Sequence, residues 1–132
     1  MPGVDMASLG AWMDAYGRAW ISNEPAEVAA LFSEGAAYYT GPFKEPWRGR
    51  DRIVTEWIAD PWGQTDIRFH HQPLAVTGDR GVAHWRVSFL PGDAPTRVEL
   101  DGVLVLRFDP EGRCTEHREW YARREVPGEG GA

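Results

Sequence analysis

Apolar residues change their spacing once along this chain, from a helical period before Asp66 to an alternation after it, and that change restricts the fold more than any other feature. Upstream, Leu9, Trp12, Met13, Tyr16 and Trp20 recur three or four apart, which puts three aromatic rings on one stripe of a first helix. Ser22 and Asn23 are good cap residues, and Pro25 suits the first turn of a second helix with Val28, Leu31 and Phe32 on its buried side and an end near Gly35. Residues 36–40 read as a short strand and residues 41–49 as a loop broken by Pro42 and Pro46. Ile53, Val54, Trp57 and Ile58 form the apolar face of a third helix, stopped by Asp60 and Pro61. Downstream, strands are predicted over residues 66–76, 81–90, 96–108 and 113–123. Gly78-Asp79, Pro91-Gly92-Asp93 and the run from Asp109 to Gly112 join them, turns short enough for antiparallel neighbours only. Three helices followed by an antiparallel meander make an α+β plan, with the long strands curled around the helix stripes.

A chain of 132 residues needs one core, and only residues 1–5 and 127–132 have the composition of loose tails, which leaves a single domain over residues 6–126. A net charge of −6 without any basic cluster beside an aromatic platform disfavours a nucleic-acid surface. Cys114 is the single cysteine, so neither an internal disulfide nor a zinc cluster is expected. No apolar run approaches the roughly 20 residues of a membrane helix. The N-terminus lacks the pattern of a signal peptide, so a cytoplasmic location is expected.

Strand alternation sorts side chains by face. Over residues 81–90 the inward set is Ala83, Trp85, Val87 and Phe89; over residues 96–108 it is Leu100, Gly102, Leu104, Leu106 and Phe108. The last strand offers two rows, one with Thr115, His117, Glu119 and Tyr121, the other with Cys114, Glu116, Arg118 and Trp120, and amphipathicity does not choose between them. His70 and His71 are adjacent on a strand and point to opposite faces, which argues against a shared metal ion. If Ile67 and Phe69 face in, so does His71, a candidate donor to an internal pocket. Of Tyr38 and Tyr39, one is wall and the other surface, while Trp47 and Trp62 sit in loops where they could cover a ligand. The outward face mixes Arg86, Glu99, Asp101, Arg107, Glu116 and Arg118 with Val103, Val105 and Trp120, as a dimer surface would.

The run from Ala30 to Ala37, the run from Gly49 to Ile53 and the run from Leu106 to Arg113 resemble the helix-to-strand, third-helix and hairpin signatures of the nuclear transport factor 2-like superfamily. Ketosteroid isomerases and SnoaL-like polyketide cyclases share that cone-shaped fold, and the resemblance covers Leu9 to Tyr121. It implies a cofactor-free protein that takes up a small, mostly apolar, ring-bearing metabolite, and a homodimer paired through the outer face of the sheet. The isomerases' tyrosine falls on Tyr16, but their base falls on Thr40 or Gly41 and their second aspartate on Leu104, so steroid isomerisation is not expected. The Asp-Arg-Asp set of the epoxide-hydrolase branch is absent from the inward row of residues 96–108.

The wording Glu116-His117-Arg118-Glu119 resembles the Glu-His-x-Asp/Glu run of SnoaL-like sequences. It selects His117, Glu119 and Tyr121 as the inward row and places an acid/base carboxylate at Glu119. The implied site has Glu119 moving a proton, His117 tuning or relaying it and Tyr16 donating to a developing oxyanion. Trp20, Trp57, Trp85, Phe89, Leu104, Tyr121 and His71 would line the pocket. Burial would raise the pKa of Glu119 and a protonated His117 would lower it, so the net sign is open. The competing readings are a structural buried pair, a module that binds a lipophilic compound unchanged, and an assembly subunit.

Overall fold

Helix α1, Met6–Ser22, begins with a reciprocal cap: the Asp5 carboxylate accepts from the Ser8 N–H at 2.8 Å and the Ser8 hydroxyl accepts from the Asp5 N–H at 3.0 Å. The computed structural model describes residues 4–59, 63–92 and 95–127. The Val4 N–H donates to the Gly78 carbonyl at 3.1 Å, so Val4 and Asp5, assigned by composition to a tail, are tied to the domain. Asn23 ends the helix at φ 55°, a left-handed conformation that asparagine tolerates.

Helix α2, Pro25–Ala29, is shorter than its apolar pattern predicts, and Phe32 opens strand β1, Phe32–Tyr39, instead of closing the helix. Tertiary bonding takes the chain out of helix there: the Leu31 carbonyl accepts from the Cys114 N–H at 2.8 Å and from the Trp12 indole at 3.0 Å. The expected loop over residues 41–49 contains a two-residue strand β2, Trp47–Arg48, paired with Tyr38 and Ala37. Helix α3 is Arg50–Ala59; the expected stop at Asp60 and Pro61, and Trp62, lie outside the described residues.

Strands β3, Gln64–Thr77, β4, Arg80–Pro91, β5, Thr96–Phe108, and β6, Cys114–Pro127, follow as alternation predicts, each extended by a few residues except β5. The six strands form one curved, open sheet in the order β2-β1-β6-β5-β4-β3. Every pairing is antiparallel except that of β1 with β6, which is parallel and brings the first strand beside the last. Helix α1 packs its stripe of Leu9, Trp12, Met13 and Tyr16 into the concave side, against Trp85, Leu104 and Phe108. Among the described residues, no helix is long and apolar enough to cross a membrane.

Of four register irregularities among the described strands, two bear on the burial of particular side chains. Between Arg107 and Phe108 the register with β6 slips, so Thr115 is an extra residue and Cys114 shares the inward face with His117. Cys114 is therefore buried rather than part of the outward row, and burial pushes its thiol well up, so it is an inert core side chain. In β3 a second slip between Thr65 and Arg68 puts Asp66 at φ 49°. Arg97 is 4% exposed and holds that bulge, donating to the Asp66 carbonyl at 3.0 Å and the Ser88 hydroxyl at 3.0 Å and pairing with the Asp66 carboxylate.

Candidate active site

The parallel register of β1 on β6 sets Tyr38 beside His117, and the antiparallel register of β5 on β6 sets Leu104 opposite Glu119. Both Glu119 and Tyr38 therefore project to the concave side. The Tyr38 hydroxyl donates to Glu119 Oε1 at 3.0 Å. Because that spends its only hydrogen, the 3.1 Å bond between the two tyrosine hydroxyls is donated by Tyr16. A directed chain from Tyr16 through Tyr38 to Glu119 results. Among the described residues Oε2 of Glu119 has no hydrogen-bond partner.

Glu119 and Tyr38 reach a cleft of about 720 Å³ whose other walls are Trp20 of α1, Trp47 of β2, Trp57 of α3, Ile67 of β3 and Leu100 of β5. Tyr121, 44% exposed, Lys44 and Glu56 also line it. Trp47, expected in a loop, reaches the cleft from β2 and stacks on Tyr38 with ring centroids 4.9 Å apart.

Burial decides the electrostatics. It pushes the Glu119 carboxyl up to about 8, outweighing the opposite pull of the bond from Tyr38. The same cause drives the His117 imidazole down to about 3 and both tyrosine hydroxyls well above their usual range. At neutral pH Glu119 is a carboxylic acid and His117 is uncharged. Their closest approach, 3.8 Å between Nδ1 and Oε1, is then neither an ion pair nor a hydrogen bond.

These placements divide the expected site residues. Glu119, Trp20, Trp57 and Tyr121 line the cleft. Tyr16 does not: its hydroxyl is buried and committed to Tyr38, so it is no donor to a bound oxyanion. His117 lies behind Tyr38, stacked on it at 3.8 Å and 7°, and neither ring nitrogen has a partner among the described residues. Trp85, Phe89 and Leu104 are inward as alternation predicts, but they are core beneath the cleft rather than its wall. His71 is likewise away from the cleft, because its Nε2 is held 2.7 Å from Asp14 of α1. Tyr38 is the residue that sequence reasoning left unassigned between wall and surface. Among the described residues, no three His, Cys, Asp or Glu side chains are grouped to hold a metal ion.

The two buried groups give stability a definite pH dependence. A carboxyl raised from 4.5 to about 8 favours unfolding as pH climbs, since the unfolded chain ionises first. An imidazole lowered from 6.5 to about 3 favours unfolding as pH falls, since the unfolded chain is protonated first. Their joint contribution is thus least unfavourable between about 4.5 and 6.5 and worsens on both flanks. Denaturant titrations across pH should show that Glu119→Gln flattens the alkaline flank and leaves the slope below about 4.5 unchanged. An unchanged alkaline slope would mean that Glu119 is not held as an acid.

The sequence model of the SnoaL-like domain family matches residues 12–117. No curated protein sequence matches the chain. Among solved structures, the epoxide hydrolase/cyclase-like enzyme SalBIII, which acts in pyran ring formation in the polyether salinomycin, superposes with a TM-score of 0.70 at 17% identity over 86% of this chain and 89% of its own. An LEH-like epoxide hydrolase of M. tuberculosis gives 0.67 at 18% identity, covering 89% and 84%. A protein of unknown function with a cystatin-like fold from Methylobium petroleophilum gives 0.70 at 20% identity, covering 99% and 84%. At these identities the likeness is one of fold.

Proposed function

The chain belongs to the SnoaL-like domain family, within the nuclear transport factor 2-like superfamily, and from that premise we propose that it is a cytoplasmic, cofactor-independent acid/base enzyme of the cyclase or isomerase type. Its substrate is a small, mostly apolar cyclic metabolite with an oxygen that accepts a proton. The observation that carries this reading is a buried carboxyl on the wall of an aromatic cleft, with Oε1 fixed by Tyr38 and Oε2 left for the ligand; burial favours its protonated form. Glu119 donates from Oε2 as a ring bond to the acceptor oxygen breaks or as a ring closes, and takes a proton back from the attacking hydroxyl. Tyr38, itself held by Tyr16, stabilises the transient carboxylate. His117 acts by packing against Tyr38, as a positioning residue. Pyran formation and epoxide hydrolysis, which the similar structures' names describe, also act at a ring oxygen and support this class of substrate. Steroid isomerisation is set aside, since Thr40 or Gly41 stands where the isomerases' base would be and Leu104 is buried.

The test is a titration of Glu119 by NMR of carboxyl-labelled protein, together with a screen of cyclic ketones, epoxides and polyketide-like alcohols. We expect the carboxyl to titrate near 8 and activity to fall as pH rises through the same value. A carboxyl titrating in the ordinary range would end the proposal. The aromatic walls also fit a module that binds a lipophilic compound unchanged, and tight binding without turnover of any compound would select that reading.

We also propose a homodimer through the outer face, where Trp120 is 43% exposed and pairs across the ladder with a half-buried Val103. Sedimentation at micromolar concentration should show twice the 14.8 kDa chain mass, and Trp120→Glu should shift it to monomer. A wild-type protein that sediments as a monomer would rule the interface out.

A further inference from the structure

We propose that the cleft's ligand carries a carboxylate: its ring oxygen meets the Glu119 carboxyl while its carboxylate is held by Lys44 and Thr40, which makes Lys44 the residue that selects the substrate class. This rests on the reading of Glu119 as the cleft's acid and deepens it.

The chain path puts Lys44 and Glu119 in one site. After β1 the chain leaves the sheet and returns at Trp47, which pairs with Tyr38 across the β1–β2 ladder and stacks on its ring at 4.9 Å. His117 stacks on the same ring at 3.8 Å, so both ends of this loop are anchored on the side chain that bonds Glu119. Within the loop the Lys44 N–H donates to the Gly41 carbonyl at 3.2 Å. The Lys44 stem lies over Gly41, where an added Cβ would come 3.4 Å from Lys44 Cγ. Thr40 and Lys44 line the same cleft as Tyr38 and Glu119. Thr40 stands two residues beyond Tyr38, about 7 Å along an extended chain, a spacing that one ring with a short acidic side chain bridges.

The wall is richer in open donors than in open acceptors. Among the described residues the Lys44 ammonium, the Thr40 and Tyr121 hydroxyls and the Trp47 and Trp57 indole N–H groups have no hydrogen-bond partner. Several acceptors are occupied: Glu119 Oε1 takes the bond from Tyr38, Gln64 Oε1 takes that from the Trp20 indole at 2.7 Å, and Glu56 pairs with Arg52 at 3.5 Å. Open donors call for an acceptor-rich ligand, and a carboxylate presents two acceptor oxygens that an ammonium and a hydroxyl can share.

Charge points the same way. Lys44 has no ion-pair partner among the described residues, whereas Glu56, the other charged residue of the wall, is matched by Arg52. Glu45 follows Lys44 but is not among the residues that line the cleft. Tyr38 and Tyr121 are uncharged at neutral pH. A ligand anion is also compatible with the chemistry, because negative charge nearby favours the protonated form of Glu119 and so keeps its proton available.

Lys44 is the chain's only lysine, so reductive methylation with isotope-labelled formaldehyde, which keeps the charge, gives one lysine side-chain signal by NMR. Three probes share a ring oxygen and differ in the tail: (tetrahydropyran-2-yl)acetate, the corresponding acetamide, and 2-(tetrahydropyran-2-yl)ethylammonium. The acetate should shift the Lys44 signal and bind about fivefold tighter than the acetamide, by a margin that shrinks with added salt, and the ammonium should bind most weakly. Lys44→Gln should abolish that margin without weakening the acetamide, which shows the cleft intact, and Lys44→Arg should keep it. In Glu119→Gln the margin should persist, since the two ends of the ligand are held separately. Equal affinity for acetate and acetamide, a preference for the ammonium, a margin that survives in Lys44→Gln, or no binding of any probe at millimolar concentration would overturn the inference. A missing margin with Glu119 titrating near 8 would overturn this inference alone, whereas a margin that stands while Glu119 titrates as an ordinary carboxylate would overturn the acid reading and leave the selecting role of Lys44.

Discussion

Glu119→Gln should lower turnover by on the order of 10² to 10⁴ while leaving ligand affinity largely intact, because it removes a transferable proton and almost nothing else. The amide is nearly isosteric with the protonated carboxyl, and its oxygen can still accept the 3.0 Å bond from Tyr38. Its NH₂ group then occupies the place of Oε2, where it donates a hydrogen bond but cannot ionise. Since the carboxyl it replaces is already neutral at neutral pH, the variant buries no new charge and should fold as well as the parent or better in mildly alkaline solution. The loss belongs in kcat, with KM moved little, and the alkaline limb of the rate profile should disappear from any residual activity. Single-turnover measurements on the best substrate of the screen provide the check. Unchanged turnover would retire Glu119 as the acid, and a loss confined to KM would make it a binding group.

The architecture was legible because a change of apolar period is a local signal that tertiary structure reinforces, and β5 ends at the residues alternation assigns. Its exceptions have long-range causes. Leu31 and Phe32 carry a helical pattern, yet the bond from the Cys114 N–H to the Leu31 carbonyl and the pairing of Phe32 with Cys114 draw them into sheet. The slip at Thr115 turns Cys114 inward, and no residue type at that position announces it. Arg97 has the look of an outer-face charge, but the bulge at Asp66 folds over it and buries it.

Legibility of the site was limited in a different way. Alternation tells which side chains face the concave side, and it was right for Trp85, Phe89 and Leu104. It does not tell where the concave side is covered by α1 and where it stays open, so it assigned core residues to the cleft wall. Tyr38 needed the parallel pairing of β1 with β6, which sets it beside His117, more than half the chain away in sequence. The sign of the Glu119 shift needed the exclusion of water from His117, whose imidazole would otherwise be the cation that lowers it.

Gly102→Ala should be the most destabilising single methyl group that can be added to the sheet, at about 2–4 kcal/mol. Gly102 sits in β5 opposite Tyr121, on the inward row. A Cβ there would lie 2.0 Å from the Trp120 carbonyl oxygen and 2.7 Å from the Tyr121 Cβ. The first is backbone, so a rotamer change cannot relieve the overlap; β6 has to move off β5 or the strand has to twist. Either movement acts on the adjacent inward pair, Leu104 with Glu119, and so on the carboxyl itself. Thermal unfolding should drop by roughly 10 °C, and whatever protein remains folded should bind cleft ligands more weakly. Gly35→Ala is the control, because no atom lies within 4 Å of the added methyl, and it should stay within about 0.5 kcal/mol of the parent. If Gly102→Ala matched that control, the close approach of β5 and β6 would be wrong, and with it the register that sets Glu119 opposite Leu104. A large loss would mean that the chain gives up a side chain on its inward row to let two strands approach closely beside the acid, a position held by backbone contact and therefore insensitive to repacking of the core around it.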